Sequence, residues 1–530
     1  MKKTKATKRE IENAAIEIVR REKETWGSAL CYITPKIAFK IRDLIQVFRK
    51  NYYGVFDEPI DPNTGRKKIW IPLTESVVES VVKNIDLDTK DINFRAKKVS
   101  SVGLVSLIRN IVKNALEEIN FGEKLDVFER GLAIDGTKVW KTVDRYDEVL
   151  KKKTMQILEP DLLNIYIDPT AENIQSAYRI TERGLMSLSE IKRMNWINTD
   201  IVFADEGFHK TDTNIRTSST SKYIDIWETW GKIPKWLITG DKNDQEEIEG
   251  HIVVSGIERG GGVVHLIEKN DGIRPYEEAW YSKVPGRWYG RGVAEKLMWL
   301  QVWINTIVNI RINRSYLSQL GIFKIKRTAN ITPQMATRLT SNGVIMVNSM
   351  DDIEQLVIQE AGITSYKDEE VIQTWAERVT SAFEMVTGEK LPSSTTATVG
   401  AIQERSGQSQ FVLIKEGIGL FLQRWIKRHV LPIVLGNIDR DEMVLFADDV
   451  EKIRELDERM VNEIIYQKIK KANEEKVIVD PQEIETERIK TLEYLKKLGK
   501  ERFVRILEKI DFTAFDVNVY ITNEEIDKGV

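Results

Sequence analysis

Four groups of residues in this 530-residue chain have the types and spacing to invite chemistry. The first is Gly286, Gly290 and Gly292 in PGRWYGRGVAEK, since glycine turns ahead of helices can cradle phosphate on backbone N–H groups. The phosphate-loop order G-x-x-x-x-G-K-[ST] is missing: Lys296 lies beyond the turn, and no Ser or Thr follows it to hold magnesium. The stretch therefore reads as a hinge that opens a helix. The second group is the histidines, His209, His251, His265 and His429. None has a second His or Cys at ligand spacing, so no zinc site is expected and each reads as a surface or satisfied buried residue. The third is Asp161 and Asp168, which flank an apolar strand as a catalytic carboxylate pair would. Asp-Pro as a turn opener explains Asp168 more simply. The fourth, Ser393–Thr396, lacks the flanking glycines and the base of a nucleophile elbow. No enzyme, cofactor or metal is expected.

The element behind the glycines is more informative than the glycines themselves. After Gly292 the chain runs for 28 residues without Pro or Gly, a helix roughly 40 Å long. Leu297, Trp299, Leu300, Val302, Trp303, Ile304, Ile307, Val308, Ile310, Ile312 and Leu317 wrap most of its circumference, so it should be buried on several sides. Gln301, Asn305, Asn309, Arg311, Asn313 and Arg314 punctuate it, which rules out a membrane span. Apolar nearly all round yet studded with amides, the helix suits a shaft packed between copies of itself. Trp299, Trp303, Ile307 and Ile310, at i, i+3/i+4 spacing, are expected to bury against a neighbouring copy or against a second helix near 365–386.

Elsewhere the chain alternates between helical and strand-like pieces. Residues 1–25 are a charged peripheral helix, and Ile37–Phe56 reads as one amphipathic helix before the DEPIDPNTGRKK turn region. Strands are expected at 92–94, 138–144 and 153–158. The segment PDLLNIYIDPTAENIQSAYRITERGLMSLSEIKRM reads as strand, Asp168-Pro169 turn, strand, then a helix begun near Ser187–Ser189. A polar surface loop at 205–222 precedes strands at 223–229, 234–239, 251–255 and 263–267. After the long helix come strands at 323–326 and 343–347 around a helix at 333–339, and then a helix at 365–386. The small-residue loop GEKLPSSTTATVG leads into a helix from about Gln403 to Leu435, broken late by Pro432. The tail is charged helix with a final strand-like FDVNVYI.

Composition limits the function classes. The chain is 42% hydrophobic and 30% charged, with a formal net charge of −3, and its one cysteine, Cys31, excludes an intrachain disulfide framework. A protein that grips nucleic acid by its phosphates is usually markedly basic, so tight sequence-independent binding over the whole surface is not expected. Transient passage of DNA fits, because a conduit should not trap its cargo.

The order of these features resembles bacteriophage portal proteins of the podovirus type, the ring-shaped head-to-tail connectors of tailed phages. Four patterns carry the resemblance: PDLLNIYIDPTAENIQSAYRI, VPGRWYGRGVAEKLMWLQVWINTIVN with Gln301 and Asn305, GIFKIKRTANITPQMATRLTSNGVIMVNSMDDIEQLVI, and FEMVTGEKLPSSTTATVGAIQERSGQSQ. Together they cover about 160–430. The resemblance implies an α+β, mainly helical subunit: an N-terminal wing region (1–285), a first stem helix (286–320), an α/β clip (321–360) and a second stem helix (361–387). A tunnel loop (388–402), a long wing helix (403–438) and a helical crown-like C-terminal region (439–530) complete it. It further implies a homododecamer in the virion at one capsid vertex, assembled in the host cytoplasm. The ring would dock terminase, pass double-stranded DNA, bind the head-tail adaptor, and meet capsid or scaffolding protein, with no membrane partner. The clip is locally basic at Lys324, Lys326, Arg327 and Arg338, either a guide for phosphates or a solvated face. In the tunnel loop, Lys390, Ser393, Ser394, Thr395, Thr396 and Thr398 would brush the duplex; a plain surface loop is the alternative. Another oligomeric tail or baseplate protein without a DNA channel is the alternative function, and a nucleotide-dependent DNA-processing enzyme is a third class.

Overall fold

In this computed structural model the described residues are 5–319 (apart from 35–36, 63–64, 86, 88–91, 97–101, 148–151, 195, 200–222, 260 and 271), 323–327, 353–355, 364–381, 397–437, 481–498 and 515–519, with a few positions between 458 and 469. The fold is α+β with helix prevailing. Helix α1 (Lys8–Gly27) opens on a capping box, Thr7 and Glu10 satisfying each other's backbone N–H groups. It is followed by the hairpin β1 (Leu30–Thr34) and β2 (Ile37–Lys40), then α2 (Ile41–Tyr53). The amphipathic helix expected over Ile37–Phe56 is thus four residues shorter at its start, because Ile37–Lys40 pairs with β1. At its end Gly54 takes the left-handed conformation that closes a helix, with φ 70°.

Helices α3 (Leu73–Ile85), α4 (Val102–Glu118) and α5 (Phe121–Asp135) flank strand β3 (Ile92–Ala96). Strands β4 (Thr137–Asp147) and β5 (Lys152–Leu158) join β11 (Tyr276–Trp280) in an antiparallel sheet of order β11-β4-β5. A second antiparallel sheet, β10-β9-β8-β7-β6, is built from β6 (Ile165–Ile167), β7 (Arg179–Ser187), β8 (Tyr223–Pro234), β9 (Glu247–Ser255) and β10 (Val263–Lys269). As expected, Ser187 caps the short helix α6 (Leu188–Arg193). The strand expected at 234–239 is instead a single helical turn, α7 (Trp236–Thr239), closed by Gly240 at φ 73°; β8 stops at Pro234, whose ring cannot donate to a ladder. The 205–222 loop lies outside the described residues.

The long helix α8 (Val293–Gln319) follows, then β12 (Phe323–Ile325) paired antiparallel with β13 (Ile353–Gln355), and α9 (Thr364–Thr380). Helix α10 (Ala397–Trp425) starts six residues before the expected Gln403 and passes through a π-helical turn, Ile426–Val430, into α11 (Leu431–Asn437). The π turn answers Pro432. An α-helical register would press the proline ring against the Arg428 carbonyl, and the wider turn relieves that clash. The expected strand at 343–347 and helix at 333–339 lie outside the described residues. Helix α12 (Pro481–Leu498) and β14 (Phe515–Val519) belong to the tail, and β14 pairs with β3.

The main core lies where α3, α4, α5, α8, α9, α10 and α11 cover the β11-β4-β5 sheet. Its centre is aromatic: Phe121, Phe128, Trp140, Phe421 and Trp425 have ring centroids 4.4–5.7 Å apart. The Trp425 indole finds its acceptor in Thr142 Oγ1 at 2.8 Å, as a buried N–H must.

Candidate functional site: a helix with its aromatics outside

Helix α8 is anchored at its start by close backbone packing. Gly136 ends α5 at φ 78°, and a Cβ at Gly292 would stand 2.7 Å from the Ala133 carbonyl oxygen and 2.8 Å from the Gly136 nitrogen. A Cβ at Gly290 would collide with the Gly136 carbonyl and Trp280. Gly290 and Gly292 thus serve close approach, where the sequence suggested a loosened hinge. We expect Gly292→Ala to cost about 3 kcal/mol, since overpacking against rigid backbone has no flexible neighbour to yield; a thermal unfolding midpoint equal to wild type would contradict this.

The amides of α8 point inward. Gln301 is fully buried and Asn305 nearly so. Residues Ile69–Pro72 cross the helix as a strap that runs antiparallel to it and leads into the first turn of α3, which holds Thr74. Thr74 N and Oγ1 both donate to Gln301 Oε1 at 2.8 Å, and Gln301 Nε2 donates to Ile71 O at 2.7 Å. Ile71 N donates to Asn305 Oδ1 at 3.0 Å. Asn309 accepts from Ile69 N and donates to Ile69 O, both at 2.8 Å. Asn313 Nδ2 reaches Asp61 Oδ2 at 2.7 Å. The match is geometric: every fourth helical residue rises about 6 Å, close to the roughly 6.6 Å of two extended residues. Asn305 and Asn309 thus meet Ile71 and Ile69 as a neighbouring strand would, while Gln301 joins Ile71 to the first turn of α3 and Asn313 holds the Asp61 side chain. Gln301, Asn305 and Asn309 hold the chain's own backbone.

The face opposite the strap is apolar and outward. Trp299 is 71% exposed, Trp303 58%, Ile310 50% and Val302 43%. Of the four residues expected at an assembly contact, Ile307 alone packs against the main core. The other three do not bury against α9. That helix meets α8 through Arg311, whose guanidinium lies 2.8 Å from Glu369, and through the buried Ile372 and Ala376. It too turns apolar side chains outward, Val371, Trp375 and Val379, at i, i+4 and i+8. Large exposed apolar patches mark association surfaces.

Lys324, Lys326 and Arg327 are exposed beside the β12–β13 pair, with Lys324 Nζ 3.7 Å from Glu354; Arg338 lies outside the described residues. So do Lys390, Ser393, Ser394, Thr395 and Thr396. Thr398 falls within α10, which shortens the loop expected over 388–402.

The residues that invited chemistry are structurally occupied. Asp161 accepts from Leu163 N and shares Arg49 with Asp135, while Asp168 accepts from Thr170. Burial and the neighbouring Arg291 push the Lys296 amine below its ordinary value. His265 bonds Ser255 and Ile197 O, and burial pushes its imidazole down. His429, Arg424 and Arg428 of the α10 end surround Glu277 of β11, and against the cost of burial they hold its carboxyl below the ordinary range. On its neighbour Glu278, burial and then the Glu277 carboxylate push the pKa up to about 7. His209 lies outside the described residues. Among the described residues no group of three or more His, Cys, Asp or Glu could hold a metal ion, and no helix is long and apolar enough to cross a membrane. Sequence reasoning missed the strap; the i+4 repeat of amides was the signal for it.

No protein-family model matches this chain, and no curated protein is significantly similar to it in sequence.

Proposed function

We propose that this chain is the subunit of a ring-forming phage portal that passes double-stranded DNA and docks terminase and later the head-tail adaptor. The observation that carries the reading is the outward stripe of Trp299, Val302, Trp303 and Ile310 on a helix whose other side is fixed to its own chain. A monomer gains nothing from two exposed tryptophans on a rigid shaft, whereas a ring buries that face against the next subunit. The element order supports the same reading: long helix, small antiparallel strand pair, second helix, long helix. On this reading the ring, a dodecamer in the virion, occupies one capsid vertex in contact with capsid or scaffolding protein.

Electron microscopy of the purified protein tests the proposal. Rings with an axial hole wide enough for a duplex are expected. Monomers, or closed oligomers without such a hole, would overturn it and favour a tail or baseplate component.

A further inference from the structure

A buried ionic cluster joins the two larger sheets, independently of the portal reading. Lys141 of β4 reaches across to the other sheet, its Nζ 2.7 Å from Glu182 Oε2 on β7 and 2.8 Å from Glu228 Oε2 on β8. Tyr276 of β11 donates its hydroxyl to Glu182 at 2.6 Å. One ammonium thus faces two largely buried carboxylates, and an unbalanced buried charge is costly.

His251 of β9 is placed to supply the missing charge. It pairs with Trp230 on one side and Glu268 on the other in the strand register. Its Nδ1 lies 3.1 Å from Glu268 Oε1, and its Nε2 lies 3.7 Å from Glu228 Oε2. Its ring stacks on Trp230 with centroids 3.7 Å apart and planes 14° apart, and an indole face favours a cation. Of the groups around it, Glu182, Glu228 and Glu268 are acidic, Lys141 is the ammonium, and Tyr276 is neutral. We propose that His251 carries a proton in the folded protein and that this proton offsets the excess carboxylate charge of the cluster on the five-stranded sheet, stabilising the fold on acidification and less so on alkalinisation. Burial opposes the charge on His251, but Glu228 and Glu268 outweigh it and hold the imidazole above its ordinary value. Burial likewise opposes charge on Glu228, and Lys141 and His251 more than offset it.

The sign follows from the raised imidazole. Its contribution is complete below the unfolded value of about 6.5 and is lost as pH rises through the higher folded value. Exchange of the His251 Cε1 hydrogen for deuterium, followed by mass spectrometry against pH, reads the proton directly. A midpoint above about 6.5 is expected, and one at or below it would overturn the proposal. Because burial and Glu277 also push Glu278 up to about 7, stability is compared between wild type and His251→Gln, whose side chain keeps a polar group but no charge. The gap in unfolding temperature should narrow as pH rises from about 6 to about 9; a constant gap would overturn the proposal. If His251→Gln fails to fold, Glu268→Gln at the half-exposed end should lower the exchange midpoint of His251, and an unchanged midpoint would count against the proposal.

Discussion

Gln301→Leu is expected to destabilise the protein by about 3–5 kcal/mol, although it puts an apolar residue into a buried position. Gln301 satisfies the Thr74 N–H and hydroxyl and the Ile71 carbonyl, and leucine keeps much of its volume but none of these bonds. Each buried polar group left unmatched costs roughly 1–3 kcal/mol. The strap should also open locally, so limited proteolysis ought to cut within 57–72 sooner than in wild type. A variant with unchanged unfolding temperature and unchanged cutting would mean that the amides are incidental to the fold.

The second large effect is on assembly. Among the described side chains of α8, Trp299 and Trp303 are the most exposed apolar ones, so the double variant Trp299→Ser/Trp303→Ser removes little from the single chain. Substitutions away from the core usually move stability by no more than about 0.5 kcal/mol. At an interface, buried tryptophans are among the residues that dominate binding, each worth about 2 kcal/mol or more. If the proposed ring forms, sedimentation should therefore show rings replaced by monomers, while circular dichroism and unfolding temperature stay close to wild type. Intact rings would place the subunit contact elsewhere. Loss of both assembly and folding would assign the tryptophans to a monomer's core.

The sequence was most readable where local rules act alone. The absence of Pro and Gly marked α8, Asp168-Pro169 marked its turn, and Ser187 with Glu190 marked the start of α6. What it hid is orientation. An apolar residue is normally read as inward and an amide as outward, yet Trp299 and Trp303 face out while Gln301, Asn305 and Asn309 face in, because residues 69–74 supply those amides with backbone partners. That partner lies more than 200 positions away, so no window of α8 contains it. Helical turn 236–239 was lost to its apolar run, WLIT, which carries no period over so short a span.

The pairing of β3 with β14 has a kinetic corollary. Ala96 meets Phe515 across 419 positions of chain. A ribosome adding about 5–20 residues per second would need roughly 20–80 s to connect them. Throughout that interval the backbone of Ile92–Ala96 lacks its final neighbour and is open to adventitious strands. Nascent chains emerging close together on one messenger would meet while that site is vacant. Yield in the cell should therefore fall with expression rate more steeply than purified stability alone would dictate, and slower synthesis should recover it.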